Sequence, residues 1–359
     1  MTFMMLPNDL VLNCLARVSR LYYPTLSLVS ERFRYLLAST ELYQTRILLG
    51  CTESCLYVCL KLRTYHNPQH WFTICRKPNS SKNVLVPIAS PNSHPTYQSD
   101  FARVGSNIYA IGGFINDDNA SSRVMVMDCR SRTWLEAPSI RIARATPSTC
   151  VLDGKIYVIG GCKNLDATNW IEVFDTKTQT WEFMSSSHGE KICSSCTYHS
   201  LGYDGDVYVK GFEKRVTYKL DKGRWRPADI AMDRGWFCSS SSCVMENVLY
   251  SWFCGMIRWY DSEENFWKYI KGLEGSDELY GLHGHFDAKM TGCGGKLVVM
   301  WEKNVYINEC HYEKGLWCAE IALEKHQGDI WGTLEWSDVV STTTQPYEYD
   351  LAHILAVTL

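Results

Sequence analysis

The residues of this chain best suited to metal or redox chemistry are one pair of cysteines and one pair of histidines. Cys193 and Cys196 form a CxxC, the spacing used by zinc sites and by thiol–disulfide exchange enzymes. A structural zinc site needs a second pair of ligands, which the sequence lacks, and the segment around these cysteines is typical of the start of a β-strand. His283 and His285 lie near Asp287 and could ligate a metal, but a glycine-rich loop accounts for these residues without one. We therefore predict no bound metal and no cofactor.

Motifs of other catalytic chemistries are missing from the sequence. It contains no GxSxG elbow, no phosphate-binding P-loop and no HExxH, and no cysteine pairs with a histidine in a recognisable local context. We therefore predict a protein that is not an enzyme. A metal-dependent enzyme is an alternative, which stoichiometric iron, copper or zinc in the purified protein would favour.

The composition is that of an ordinary globular protein. The 359 residues are 46% hydrophobic, which is too apolar for a disordered chain, and the formal net charge of -3 gives no sign of a nucleic-acid partner. Sixteen cysteines without an export signal favour free thiols in a reducing compartment, so we expect the protein in the cytoplasm, the nucleus or both. No apolar run is long enough to span a bilayer, so we expect no membrane partner.

Residues 1–50 predict a small all-α domain of three or four short helices. Asn8 or Asp9 is the expected N-cap of the first helix, Ser30 and Thr40 cap two later ones, and Gly50 ends the last. The apolar residues expected along one face of the first helix are Leu10, Val11, Cys14, Leu15 and Val18, and those expected along one face of the last are Leu42, Ile47 and Leu48. So small a domain cannot bury every apolar side chain, so some must meet another surface.

Beyond residue 95 the sequence repeats itself, with one tryptophan assigned to each repeat at steps of 42 to 50 residues: Trp134, Trp181, Trp225, Trp267 and Trp317. The clearest units contain a strand ending in Gly-Gly, a strand ending in Asp and a strand containing Trp, whereas the later units are eroded, with Lys210-Gly211 in place of Gly-Gly and His311 in place of the Asp. The two clearest units place these features at 107–113, 124–128 and 134, and again at 155–161, 171–175 and 181. A repeat of this length and strand content is typical of a β-propeller blade.

Residues 51–359 therefore predict an all-β propeller of about six blades, each with four strands. The glycines permit backbone angles and close approaches that side chains would block, the Asp begins a tight turn, and the Trp fills the wedge between blades. The β-rich C-terminus, residues 352–359, is expected to complete the blade begun after the helices, which leaves the ring without an open edge.

A resemblance to the F-box family is carried by the segment LPNDLVLNCLARVSRLYYPTLSLVSERFRYLL, in which Leu-Pro opens a short helical domain. Phe33 stands where that family often has Trp, a departure that keeps an aromatic anchor. The resemblance implies binding to the small Skp adaptor of the cullin-based SCF ubiquitin ligase. The residues that it assigns to this contact are Leu6, Pro7, Leu10, Leu15, Pro24, Leu26 and Val29.

The repeats resemble kelch repeats, and the helices followed by repeats resemble the plant F-box/kelch family over nearly the whole chain. This resemblance implies a non-catalytic substrate adaptor of an SCF-type E3 ubiquitin ligase, which reaches a cullin through the Skp adaptor and captures an unidentified protein substrate. The alternative is a kelch interaction scaffold that does not assemble with a ligase. Failure of residues 1–50 to co-purify with a Skp adaptor would favour that alternative.

The substrate face is predicted from the order of strands in a blade. Loops between second and third strands, and connections between blades, lie at one end of the ring, and here they are longer and richer in charged and aromatic residues. The residues that we expect to contact substrate there are Arg141, Arg144, Lys191, Arg234 and Trp236. The competing interpretation of each basic residue is that it bonds backbone carbonyls around the central channel.

Overall fold

In the computed structural model, the described part of the chain begins with four short α-helices, which are followed by six four-stranded β-sheets, a two-stranded hairpin and one further short helix. The structure describes residues 6–62, 69–76, 82–88, 98–116, 119–162, 170–184, 199–211, 215–228, 230–233, 241–274, 288–308, 311–343 and 349–359. The helices are α1 (Asn8–Ala16), α2 (Tyr23–Leu26), α3 (Glu31–Ala38) and α4 (Thr40–Leu48), with a 3₁₀ turn, Arg20–Tyr22, before α2. Within the described ranges, no helix is both long and apolar enough to cross a membrane.

Serine side chains cap α3 and α4. The hydroxyls of Ser30 and Ser39 each accept a hydrogen bond from the backbone N–H three residues later, at 3.2 and 3.3 Å. The predicted cap Ser30 is confirmed, whereas Thr40 lies inside α4 because Ser39 takes the cap position. Gly50 follows the last helix with φ of 62°, a conformation that glycine adopts without strain, and ends the helix as predicted.

The start of α1 differs from the prediction. Pro7 holds the N-cap position, and no side chain caps the helix. Asn8 instead accepts hydrogen bonds from the guanidinium of Arg32 on α3, which also donates to the backbone oxygen of Leu6. These bonds tie the residues before α1 to the first turn of α3.

The apolar faces predicted for the first and last helices are divided between the core and solvent. Two i, i+4 rows of α1 face the core, and they consist of Val11 with Leu15 and Leu12 with Ala16. Leu10 and Cys14 form a third row, which faces solvent. On α4 the residues Ile47 and Leu48 are exposed, and the core face is formed by Leu42, Tyr43 and Arg46.

The strands build six antiparallel blades around one axis, which confirms the predicted propeller. Blade 1 contains β1 (Ser54–Leu62), β2 (Gln69–Arg76) and β3 (Asn83–Pro87); blade 2 contains β4 (Asp100–Val104), β5 (Asn107–Ile111), β8 (Val124–Asp128) and β9 (Thr133–Ala137), with a small hairpin of β6 (Phe114–Asn116) and β7 (Asn119–Ala120) between its second and third strands. Blade 3 contains β10 (Ser148–Leu152), β11 (Lys155–Ile159), β12 (Ile171–Asp175) and β13 (Thr180–Phe183); blade 4 contains β14 (His199–Tyr203), β15 (Asp206–Lys210), β16 (Arg215–Lys219) and β17 (Arg224–Pro227). A short helix, α5 (Ile230–Asp233), precedes blade 5, which contains β18 (Ser242–Met245), β19 (Val248–Phe253), β20 (Met256–Asp261) and β21 (Phe266–Tyr269). Blade 6 contains β22 (Lys289–Cys293), β23 (Lys296–Asn308), β24 (His311–His326) and β25 (Asp329–Thr343).

The last strand, β26 (Tyr349–Thr358), closes the ring. It is the innermost strand of blade 1 and pairs antiparallel with β1 at nine positions, from Ser54 with Thr358 to Leu62 with Tyr349. Its neighbours around the axis are the innermost strands of blades 6 and 2, β22 and β4. The prediction that the C-terminal strand completes the first blade is therefore confirmed, and no inner edge of blade 1 is left unpaired.

The Gly-Gly pairs after β5 and β11 lie where a connection between blades passes close to the backbone. A Cβ on Gly112 would lie 2.7 Å from the backbone oxygen of Arg144, and a Cβ on Gly161 would lie 2.7 Å from the backbone nitrogen of Pro147. Both glycines also have positive φ, 65° and 74°. Any larger residue would clash with backbone and be strained, which is the role predicted for these pairs.

The Asp and Trp positions of the repeat also act as predicted. Asp128, Asp175 and Asp261 each accept a hydrogen bond from the backbone N–H two residues later, at 2.9 to 3.0 Å, and so start the turn to the outer strand. The indole N–H groups of Trp181 and Trp267 donate to carbonyl oxygens in the connection from the preceding blade, at 2.7 and 3.0 Å. The two tryptophans thus lie between neighbouring blades and link them.

Candidate partner-binding surfaces

The N-terminal helices expose a band of apolar side chains. Leu10 on α1 is 53% exposed, Val29 in the loop before α3 is 59% exposed, and Pro7 and Pro24 are also exposed. Arg32, three residues after Val29, donates to Leu6 and to Asn8 on either side of Pro7, so the start of α1 and the start of α3 contribute to one surface. A free surface of this kind on a monomer indicates a protein contact.

Three of the residues predicted for the adaptor contact are less accessible than these. Leu6 and Leu26 are partly buried against the helical core. Leu15 is only 3% exposed and packs inside that core, so a direct contact with a partner does not fit its position. Leu28, which is 78% exposed, also belongs to this apolar surface and was not among the predicted contact residues. Its spacing of two from Leu26 was the available signal, because such residues lie on different faces of a helix.

The helices are fixed to the propeller by one continuous core and by two buried arginines. Helical residues and residues of blades 1 and 2 share a single apolar cluster. The guanidinium of Arg46 donates to the backbone oxygen of Val18 at 2.9 Å and pairs with Glu53 at 3.2 Å. The guanidinium of Arg20 donates to Cys55 Sγ at 2.8 Å and to the backbone oxygen of Cys129 at 3.1 Å, which spans both blades.

The charge on Arg20 is maintained although the side chain is buried. Burial acts to lower the pKa of its guanidinium, but the neighbouring Cys55, Tyr43 and Tyr57 outweigh burial and raise the pKa above its ordinary value. Burial also raises the pKa of the Cys129 thiol to about 12, so this thiol stays protonated at neutral pH. The junction between the helices and the propeller is therefore a fixed set of hydrogen bonds around a permanent cation, and the geometry favours one orientation of the two parts.

The helices pack on the side of the ring that carries the short turns. Glu53, just before β1, and Leu359, just after β26, exchange backbone hydrogen bonds. Cys129 begins the turn between β8 and β9. Glu53 thus lies at the end of blade 1 that corresponds to the first-to-second turn of the other blades, and Cys129 lies at the third-to-fourth turn of blade 2. The loops between second and third strands therefore lie on the opposite side, away from the helices.

Arg141 lies on this opposite side, in the connection after β9, and is exposed. Its guanidinium lies over the ring of Phe183 at 5.3 Å, and its backbone N–H donates to a carboxylate oxygen of Glu172 at 2.6 Å. Phe183, at the end of β13, is 37% exposed and was missed by sequence reasoning. An aromatic residue where an outer strand meets this face was the signal for it.

Arg144 does not have the position predicted for a substrate contact. It is 0% exposed, and its guanidinium donates to Glu172 at 2.9 Å and to the backbone oxygens of Gly160 and Trp170 at 2.6 and 3.1 Å. Glu172 is equally buried. The competing interpretation, bonding to backbone carbonyls, describes this residue, and its role as a substrate contact is corrected to that of a link between the blade connection and blade 3.

Removing the buried guanidinium of Arg144 should destabilise the fold. We expect Arg144→Gln to lower the free energy of unfolding by about 3–5 kcal/mol, because it leaves the carboxylate of Glu172 buried without its partner. The matched control is Arg141→Gln, which removes the same charge from an exposed side chain and should change stability by about 0.5 kcal/mol or less. Denaturant unfolding of both variants measures the difference, and equal stability would contradict the structural role.

The other predicted substrate contacts, Lys191, Arg234 and Trp236, lie outside the described residues. The same holds for the CxxC of Cys193 and Cys196, and for His283, His285 and Asp287. Among the residues that the structure describes, no three His, Cys, Asp or Glu side chains are grouped so as to hold a metal.

Polar side chains connect the innermost strands around the axis. Asp100 of blade 2 accepts hydrogen bonds from the backbone N–H and the hydroxyl of Thr149 in blade 3, at 2.6 and 3.0 Å, and lies 3.6 Å from His353 of blade 1. Burial raises the pKa of Asp100 to about 6, and burial together with Lys289 lowers the pKa of His353 to about 3. At neutral pH the imidazole is therefore uncharged, and its contact with Asp100 is not an ion pair. These residues therefore link blades 1, 2 and 3 around the axis.

Comparison with known proteins agrees with this architecture. The F-box domain family model matches residues 3–45, and the Kelch-repeats domain model (FKB95) matches residues 71–341. The chain is 54% identical to the F-box/kelch-repeat protein At4g33900 of Arabidopsis thaliana, over 96% of this chain and 93% of that protein. It is 44% identical to the F-box/kelch-repeat protein At4g39590 of the same plant, over 93% of this chain and 85% of that protein. The chain therefore belongs to the F-box/kelch-repeat family.

Proposed function

We propose that this chain is the substrate-recognition subunit of an SCF-type E3 ubiquitin ligase. Its helices dock on a Skp-type adaptor, which connects it to a cullin, and its propeller captures the protein to be ubiquitinated. The observation that carries the proposal is the band of exposed apolar side chains on an F-box whose core is otherwise closed. Exposing apolar side chains to water is unfavourable in free energy, and a partner that covers them removes this unfavourable contribution.

The junction between the helices and the propeller supports the proposal. A ligase adaptor has to hold its substrate at a defined position relative to the cullin. Arg20 and Arg46 fasten the F-box to blades 1 and 2, and the shared core excludes water between them. The apolar band and the long loops lie on different sides of this rigid unit, so adaptor and substrate can bind at the same time.

Substrate capture is assigned to the side opposite the helices. Arg141 with Phe183 offers a guanidinium and an aromatic ring there, the residue types that most often anchor protein partners. Lys191, Arg234 and Trp236 remain proposed contacts on the same grounds of strand order. Arg144 is not among them, because its guanidinium is buried and bonded.

No group of catalytic side chains competes with this function among the described residues, and we propose a non-catalytic role. The described cysteines are free thiols, which fits the reducing cytoplasm or nucleus where such ligases act.

Reconstitution tests the proposal. The full chain, co-expressed with a Skp-type adaptor and a cullin, should elute with both as one species in size-exclusion chromatography. An interaction scaffold would elute alone while still capturing its propeller partner. Elution of a folded chain without the adaptor would therefore overturn the ligase assignment in favour of the scaffold.

A further inference from the structure

A cleft of about 170 Å³ lies between the F-box helices and the propeller. One wall is formed by α2 and α3, and the other by the turn between β8 and β9 of blade 2. Four arginines line it: Arg20, Arg34, Arg130 and Arg132. The cleft is on the helical side of the ring, away from the proposed substrate face.

The charges of these arginines are only partly neutralised. Arg130 pairs with the carboxylate of Asp128 at 2.7 Å, and the guanidinium of Arg20 donates to Cys55 Sγ and to the backbone oxygen of Cys129, neither of which belongs to a carboxylate. The guanidinium groups of Arg34 and Arg132 make no hydrogen bond or ion pair with any residue in the described ranges. The cleft therefore carries an excess of positive charge.

A site with this charge and size fits one anionic group. The volume is close to that of the ~150 Å³ cavity that admits a benzene molecule, so a carboxylate or a phosphoryl group can enter. Guanidinium groups bind both through paired N–H donors, and they do so best where water is partly excluded. Gathering like charges without an anion is unfavourable by itself, because they repel.

The mouth of the cleft adjoins the surface proposed for the adaptor. Pro24 and Ser27 line the cleft, and Leu28 and Val29 of the exposed apolar band follow them directly in the chain. A protein that covers the apolar band must therefore pass the mouth of the cleft. The position of the cleft beside the apolar band therefore favours an anionic group of the docked protein over a free small anion.

We propose that an acidic segment of the Skp-type adaptor inserts a carboxylate into this cleft when the adaptor docks on the helices. The inference rests on the proposed function and adds a polar anchor to an otherwise apolar contact. Arg34 and Arg132 are the two residues that bind the carboxylate, and Arg20 and Arg130 hold the walls. Such an anchor fixes the register of the adaptor on the helices, which an apolar surface alone defines poorly.

The test compares adaptor binding by the full chain and by Arg34→Gln/Arg132→Gln, using isothermal titration calorimetry at low and at physiological salt. We expect the variant to bind about tenfold to a hundredfold more weakly and with a shallower dependence on salt, since two charged contacts are lost. The matched control, Arg224→Gln/Arg226→Gln, removes the same charge from exposed positions on blade 4 and should bind like the unmodified chain. The Lys variants at positions 34 and 132 keep the charge without the paired donors and should restore part of the affinity.

The partner residue is identified by replacing acidic residues of the adaptor one at a time. One position should show a loss that does not add to that of Arg34→Gln/Arg132→Gln, which is the signature of a direct contact. Unchanged affinity of the Gln variant overturns the inference and leaves the proposed function intact. If the unmodified chain binds inorganic phosphate while the adaptor affinity is the same with and without the two arginines, the inference is overturned in favour of a small-anion site. If the unmodified chain does not bind the adaptor at all, both the carboxylate anchor and the proposed ligase function are overturned.

Discussion

Leu10→Asp combined with Val29→Asp is expected to abolish binding of this chain to a Skp-type adaptor, with a loss of about a hundredfold or more in affinity. Both side chains are more than half exposed, so the folded chain loses little by the change. In the complex, however, two carboxylates would be buried against an apolar partner, and burying an unpaired charge weakens binding of the adaptor more than most substitutions do. Calorimetric titration with the purified adaptor measures the effect, and thermal unfolding checks the fold.

The chain offers a matched control for this prediction. Leu135 and Phe266 are also half exposed or more but lie on outer strands of blades 2 and 5. Leu135→Asp with Phe266→Asp introduces the same charges on the propeller and should leave the adaptor affinity unchanged. If the Leu10 and Val29 variant bound as tightly as this control, the helical surface would not be the docking site.

The propeller could be predicted from the sequence because its signals are local and repeated. The Gly-Gly pair, the turn Asp and the wedge Trp each answer a steric or hydrogen-bonding need within one blade, and their recurrence compensates for eroded copies. The great length of the blade 6 strands was not predicted. The step from Trp267 to Trp317, the longest between the tryptophans of successive repeats after Trp134, was the signal, since β23, β24 and β25 each span 13 to 16 residues.

The orientation of the helices could not be derived in the same way. In α1 apolar residues occur in three rows, and the helical period alone does not choose which two face inward. The choice is made by packing on α4 and on the propeller, which buries Leu15 and leaves Leu10 exposed. For the same reason, the exposed surface and the predicted contact residues agree at Leu10, Pro7, Pro24 and Val29 but not at Leu15.

Buried charges were the least predictable feature. Arg144 lies in a connection between strands, where basic residues are normally solvated, and its partner Glu172 lies within an apolar strand 28 residues later. Each residue alone looks ordinary in the sequence. Only the folded chain brings them together, and the cleft between α3 and the β8–β9 turn arises in the same way from residues far apart in the sequence.

Removal of residues 349–359 is expected to leave the chain without a stable fold. This deletion takes away β26, whose backbone pairs with β1 at nine positions and whose side chains belong to two core clusters. Four buried apolar side chains of this segment, Leu351, Ile354, Val357 and Leu359, contribute about 1.5–3 kcal/mol each. Their sum is comparable with the whole stability of a typical domain, about 5–15 kcal/mol.

The same truncated chain gives a direct test of ring closure, because the missing strand can be supplied separately. A synthetic peptide of residues 349–359, added during refolding, should pair with β1 and restore a cooperative thermal transition, whereas a scrambled peptide of the same composition should not. The peptide has to occupy an innermost position with neighbours on both sides, so rescue requires that the other blades fold around it into a closed ring. A truncated chain that unfolds at the same temperature as the full chain would show that β26 does not hold the ring closed.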